Sequence, residues 1–255
     1  MNESHEQTPG QSVSGEHTAD AAYGSPDRSV AGDYHFALAD TLKEAWIATH
    51  GNKLRILIAL GVFMLVAIGF SLLSALVSLI FGAGPDQVTL MEALVNFPVN
   101  VASYGFNGVM TAGLIVIGAR LSVGGKAGVH DLFRYLPAFL KALITQLLMT
   151  LMILLGLVLL VLPGIYLAIA YGFAIPLALE RGLSPWEAME TSRKAVTHRW
   201  FAFLGLSLVC ALLLMLSVLT LGIAYIWVLP LCVLAYGIAY RNLFGLPVDN
   251  DNAQL

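Results

Sequence analysis

Charged side chains make up only 11% of this 255-residue sequence, less than half of the roughly 25% usual in a soluble domain. That shortage excludes an ordinary cytosolic or secreted enzyme, because a core of this size still leaves many positions facing water, and those positions need polar residues. Cysteine is nearly missing, with two in the chain, which excludes a disulfide scaffold. Base is not in excess: 13 Lys and Arg stand against 16 Asp and Glu, so no nucleic-acid partner is expected. Alternating apolar and polar runs, the mark of half-buried strands, do not occur. Neither do the serine-nucleophile, zinc-protease, Walker or Cys-x-x-Cys motifs. No catalytic residue, cofactor or metal is expected on these grounds.

What is abundant is apolar surface. Hydrophobic residues make up 58% of the chain and the mean hydropathy is +0.80, which argues for a bilayer as the main solvent. Six apolar segments stand out, at 56–81, 97–120, 142–162, 165–179, 201–221 and 223–240. The links between the third and fourth (Leu162-Pro163-Gly164) and the fifth and sixth (Leu221-Gly222) are very tight, which predicts antiparallel helical hairpins. Lipid requires backbone groups to be satisfied internally. The expected fold is therefore all-α: a polytopic membrane protein with a bundle of six transmembrane helices over 53–243.

The two ends read differently. Residues 1–33 carry Glu3, Glu6, Glu16, Asp20, Asp27 and Asp33 against Arg28 alone, and the rest is small and polar, so a disordered acidic tail is expected. A basic start followed by an apolar run is missing there, so no cleaved signal peptide is expected. Residues 244–255 read as a second short polar tail.

Base is distributed by side. Lys and Arg lie before segment one, between two and three (Arg120, Lys126, Arg134, Lys141), between four and five (Arg181, Arg193, Lys194, Arg199), and after six (Arg241). The remaining connections hold none. The positive-inside rule then places every basic connection and both termini in the cytoplasm. Two stretches on that side read as interfacial helices. Ser184-Pro185-Trp186-Glu187 is a capping box with Pro at the first helical position. Beyond it, Trp186, Met189, Val196 and Trp200 share a face with Arg193 placed to snorkel, while Glu187, Glu190, Lys194 and His198 face away. Residues 34–52 form a weaker amphipathic pattern.

Three features could carry function. Asn100, Ser103, Asn107 and Thr111 fall within an arc of roughly 80° on the second segment. Two readings stay open for them: hydrogen bonding in a helix–helix interface, or a polar lining for a solute or lipid headgroup. Pro163, Gly164, Pro176 and Pro230 are candidate hinges, since a proline inside a helix removes one hydrogen bond. Ala170-Tyr171-Gly172 and Ala235-Tyr236-Gly237 are offset by 65 residues, hinting at a repeat. Finally, His35 and Asp40 match the spacing of an acyltransferase motif, though two common polar residues five apart are weak evidence.

Asp131-Leu132-Phe133, the run from Leu155-Gly156 to Leu162-Pro163-Gly164-Ile165-Tyr166, Pro176, Gly182-Leu183-Ser184, Glu187-Ala188, Ser192, Pro230, Tyr236 and Tyr240 resemble a broad group of bacterial multi-pass proteins. It includes uncharacterised proline- and glycine-rich membrane proteins, YciC-like proteins, and the membrane domain joined to some glycerophosphodiester phosphodiesterases. The resemblance implies a six-helix bundle in the bacterial cytoplasmic membrane, and no activity for that bundle. A phosphodiesterase domain is missing, so that activity is not carried over. The expectation is a non-enzymatic scaffold, envelope-maintenance or lipid-interacting protein, with transport of a small solute or lipid as the alternative. The partners expected are the lipid bilayer, a lipid ligand, and a homo-oligomer or another membrane protein.

Overall fold

A computed structural model describes residues 23–81 and 90–246. Among them the structure is helical, with no strand. Six helical stretches are long and apolar enough to cross a membrane, as the composition requires. The helices are α1 (Pro26–Val30), α2 (Leu38–Phe81), α3 (Leu90–Ser122), α4 (Val129–Phe133), α5 (Phe139–Leu159), α6 (Val161–Ala170), α7 (Ala174–Glu180), α8 (Pro185–Thr197), α9 (Trp200–Leu219) and α10 (Tyr225–Phe244).

Helix α3 is the central post, packed against α2, α10 and α5. Its residues from Val109 to Ala119 are almost all buried. By contrast α2, α5 and α9 turn large apolar side chains outward, with Leu79, Val158 and Leu219 about four-fifths exposed. This inverts the pattern of a soluble protein and suits a lipid surround. Part of the core is an aromatic cluster. Phe173 lies against Phe203, Tyr236, Tyr240 and Phe244, with ring centroids 5.9–6.4 Å apart. Phe36, from the segment before α2, stacks on Phe203 at 4.3 Å.

Several boundaries differ from the sequence reading. The interfacial helix expected at 34–52 is not separate, because α2 runs unbroken from Leu38 to Phe81. One glycine costs a helix only about 1 kcal/mol, too little to break it at Gly51. Asn52 also ties the junction down, donating to the carbonyls of Ala48 at 3.2 Å and Leu121 at 3.4 Å.

The acidic tail ends earlier than residue 33. Ser25 caps α1, Ser29 is fully buried, and the Ser29 hydroxyl donates to the Leu243 carbonyl. Residues 1–22 lie outside the described residues. The C-terminal tail likewise begins later than 244, since Phe244 is fully buried and its carbonyl accepts from Arg181 at 2.5 Å.

The α5–α6 hairpin turns at Leu160, whose backbone is extended, rather than at Pro163-Gly164. Pro163 sits in the first turn of α6, where an N–H has no intrahelical partner to lose. Gly164 packs on Gly156, and a Cβ on it would fall 2.8 Å from the Leu157 nitrogen. The fourth span is broken at Tyr171–Phe173 into α6 and α7, and Pro176 stands in the first turn of α7 rather than mid-helix. Pro230 does lie inside α10, as expected, and Pro98 lies inside α3. The two repeat-like stretches take different forms: Tyr171-Gly172 is the break, while Tyr236-Gly237 is continuous helix.

Candidate functional site

The polar stripe on α3 is neither packed between helices nor wrapped around a central cavity. Asn100, Asn107 and Thr111 are exposed and Ser103 is half-buried. A hollow of about 30 Å³ lies beside them, lined by Phe63, Val66, Ala67 and Phe70 of α2 with Ser103, Phe106, Asn107 and Met110. That is space for about one water. The stripe faces sideways, where the bilayer would lie.

Its neighbours are also polar. On the α5 side the Tyr104 and Thr150 hydroxyls bond to each other, and Tyr104 also reaches the Gln146 carbonyl. The Gln146 Oε1 is buried against Gly108 and has no hydrogen-bond partner among the described residues. Towards one end, Asn96 accepts from the Ser74 hydroxyl at 3.1 Å and donates to the Ser78 hydroxyl at 3.2 Å. The sequence reading missed these flanking groups. The i,i+4 spacing of Ser74 with Ser78 and of Gln146 with Thr150 was the available signal.

Most hydroxyls in the spans need no outside partner. Thr49, Thr145 and Ser217 each donate to the carbonyl four residues back, at 2.7–2.8 Å. Asn100, Asn107 and Thr111 make no such bond among the described residues. An amide facing hydrocarbon without a partner costs several kcal/mol, so the stripe is the feature of this fold that calls for an occupant.

The second polar region gathers the basic connections at one end of the bundle. Arg241, 5% exposed, donates to both carboxylate oxygens of Glu44 at 2.8 and 3.0 Å, to the Ser122 hydroxyl at 2.8 Å, and to Asn242. Asp131 accepts from Arg120 at 2.8 Å and from the Gly128 N–H at 2.9 Å, closing the connection from α3 to α4. The Glu180 side chain is 1% exposed and sits 2.8 Å from Arg181 Nε, with the Tyr240 hydroxyl donating to it at 2.5 Å. Each of these carboxylates is bound into an ion pair: Glu44 links α2 to α10, Asp131 links α4 to α3, and Glu180 pairs with its neighbour Arg181.

Helix α8 carries its expected capping box, with the Ser184 hydroxyl and Glu187 paired at 2.7 Å. That bond holds the Glu187 carboxyl below the usual range, and Arg193 does the same for Glu190. The apolar face of α8 differs from expectation. Met189 and Val196 are buried among the chain's own helices, beside Ala188, Ser192 and Ala195, while Trp186 is 60% exposed. Arg193 pairs with Glu190 at 2.8 Å rather than standing free, and Trp200 donates to the Tyr166 carbonyl at 3.3 Å.

Ser192 explains why α8 docks where it does. Its hydroxyl donates to the Ala170 carbonyl at 2.7 Å and accepts from the Phe173 N–H at 3.3 Å, filling the gap that the helix break leaves. A buried carbonyl or N–H left alone costs about 1–3 kcal/mol. Ser192→Ala is therefore expected to destabilise the fold by roughly that amount, read as a lower midpoint in thermal unfolding followed by tryptophan fluorescence. An unchanged midpoint would show that the break does not depend on this hydroxyl.

His35 and Asp40 are both exposed, and no hydrogen bond joins them among the described residues. His130 and Asp131 do not form a metal cluster there either; Asp131 is taken by Arg120.

No family model matches the chain, and neither a curated protein nor a solved structure matches it. What the fold itself defines is the class: an all-α, multi-pass membrane bundle.

Proposed function

We propose that this chain is a non-catalytic protein of the bacterial cytoplasmic membrane that recognises its partner or ligand from within the bilayer plane, as a scaffold or lipid-interacting protein. The observation that carries this reading is the outward-facing stripe of Asn100, Asn107 and Thr111 on an otherwise apolar span. Polar groups at membrane depth are expensive unless they are used, and this set can be reached only from the side. The transport alternative needs the same residues to line a path through the bundle, and their sideways exposure does not favour it.

The charge distribution supports a cytoplasmic position for the basic end and for both termini. The ion pairs there support a structural role for Glu44, Asp131 and Glu180, since each is already neutralised by an arginine. The resemblance to YciC-like and related membrane proteins agrees with this reading and supplies the bacterial setting.

Native mass spectrometry of the protein extracted with its own lipids tests it. The expected result is a retained lipid or a defined oligomer, lost in the double variant Asn100→Leu, Asn107→Leu. A bare monomer that behaves identically in wild type and variant would overturn the reading.

A further inference from the structure

We propose that the occupant of the α3 stripe is a second copy of this chain, and that Asn107 pairs with Asn107 across a two-fold axis normal to the membrane. The inference rests on the lateral-recognition reading above and names its partner.

Depth is the first argument. Asn107 lies about midway between Glu92 and Arg120, the charged residues that bracket this span. It is therefore roughly 20 Å of helix from each. The hydrocarbon core is only about 30 Å thick, so Asn107 sits near its middle, out of reach of lipid headgroups. Whatever satisfies it must carry hydrogen-bonding groups at the same depth, and a transmembrane helix with a polar residue there does so.

Spacing is the second argument. Asn100, Ser103, Asn107 and Thr111 follow one another by three, four and four residues. The first three have the spacing of the seam of two helices crossing at a small angle, the asparagines seven apart occupying the same seam position, and Thr111 lies beside that seam. Asparagine at such a position favours a parallel pair, because the side-chain amide is both donor and acceptor and can bond to its own copy.

Symmetry is the third. Copies inserted the same way are related by an axis along the membrane normal, which brings each residue of the stripe to the level of its own counterpart. Asn107 then meets Asn107, with Asn100 two turns to one side and Thr111 one turn to the other. A stripe made of self-complementary groups fits this operation without requiring any other sequence. The face is open to a neighbour, since Asn100, Asn107 and Thr111 are all exposed.

The test uses the full chain in lipid bilayers. Single-molecule photobleaching at increasing lipid dilution is expected to show a dimer in the wild type. Asn107→Leu is expected to weaken the dimer roughly five- to thirtyfold, the range for interhelical polar contacts in membranes, while circular dichroism confirms that the helices persist. Asn107→Cys is expected to give a thiol-reversible dimer on oxidation in membranes. Leu65→Cys, on an exposed face of α2, is expected to give none.

Three results would overturn the proposal. One is a wild-type monomer without the Asn107→Cys cross-link. The second is a dimer that Asn107→Leu leaves unchanged. The third is a monomer that keeps a bound lipid lost in Asn107→Leu, in which case lateral recognition stands and the second copy does not.

Discussion

Replacing Gly237 with alanine is expected to destabilise the bundle by about 3 kcal/mol, the upper end of the usual range for overpacking. Gly237 of α10 crosses α3 with backbone against backbone. A Cβ on it would lie 2.3 Å from the Ala119 nitrogen and 2.3 Å from the Gly118 carbonyl carbon. Those atoms belong to a central helix and cannot rotate aside as a side chain would. The reverse contact is equally tight, since a Cβ on Gly118 would fall 2.4 Å from the Val233 carbonyl oxygen. Small residues at such a crossing let two helices approach closely, which is a main source of attraction between helices in lipid. The substitution gains about 1 kcal/mol in helix propensity, which does not offset the clash. The comparison that isolates the effect is Gly69→Ala, where the added methyl meets nothing within 4 Å and only the propensity gain remains. Unfolding in mixed micelles should therefore move in opposite directions for the two variants. Equal shifts would mean that α3 and α10 do not cross at these glycines.

The number and order of the spans were legible because apolar runs and basic connections are properties of the chain itself. Boundaries were less so, and for local reasons. Residues 34–52 and 56–81 look like two helices because their hydropathy differs, yet no residue between them costs enough to stop the hydrogen-bond ladder of α2. Ser29 and Phe244 look like tail residues, but tertiary contacts bury them, and nothing in the neighbouring composition announces those contacts. The break at Tyr171–Phe173 was misplaced for a similar reason. It depends on Ser192, which lies on another helix and supplies the hydrogen bonds that an interrupted span needs. The stripe on α3 was legible as a stripe, since it follows from helical spacing alone. Its direction was not, because periodicity groups residues on a face without saying what that face meets. The apolar face of α8 shows the same limit: the grouping was visible, but Met189 and Val196 face the protein rather than the membrane surface.

Removing Glu44 is expected to cost more than removing Arg241, although the two form a single pair. The Arg241 side chain is 6% exposed, while that of Glu44 is 40% exposed. In Glu44→Ala the guanidinium stays buried with only Ser122 and Asn242 as acceptors, both neutral. A buried charge stripped of its counter-ion costs about 3–5 kcal/mol. The lower end applies here, because the carboxylate it loses was partly in water and its attraction was already screened. In Arg241→Met the position left buried is apolar, and Glu44 can turn its carboxylate to solvent, so the loss is the smaller of the two. The double variant Glu44→Ala, Arg241→Met leaves no buried charge at all and is expected to be more stable than Glu44→Ala alone. This ordering separates a true counter-ion from a surface contact. If Glu44 only decorated the end of α2, both single variants would shift the unfolding midpoint little and their effects would add. If it neutralises Arg241, the double-mutant cycle must show strong coupling, and the coupling must persist at high salt because the guanidinium end of the pair is shielded from bulk ions. The pair joins α2 to α10, with Ser122 at the end of α3 sharing the same guanidinium. Its loss therefore loosens the packing of α2 and α10 on the end of α3, roughly 16 Å of helix beyond Thr111, and a measured dimer weakened by Glu44→Ala as well as by Asn107→Leu would show that the stripe depends on that packing.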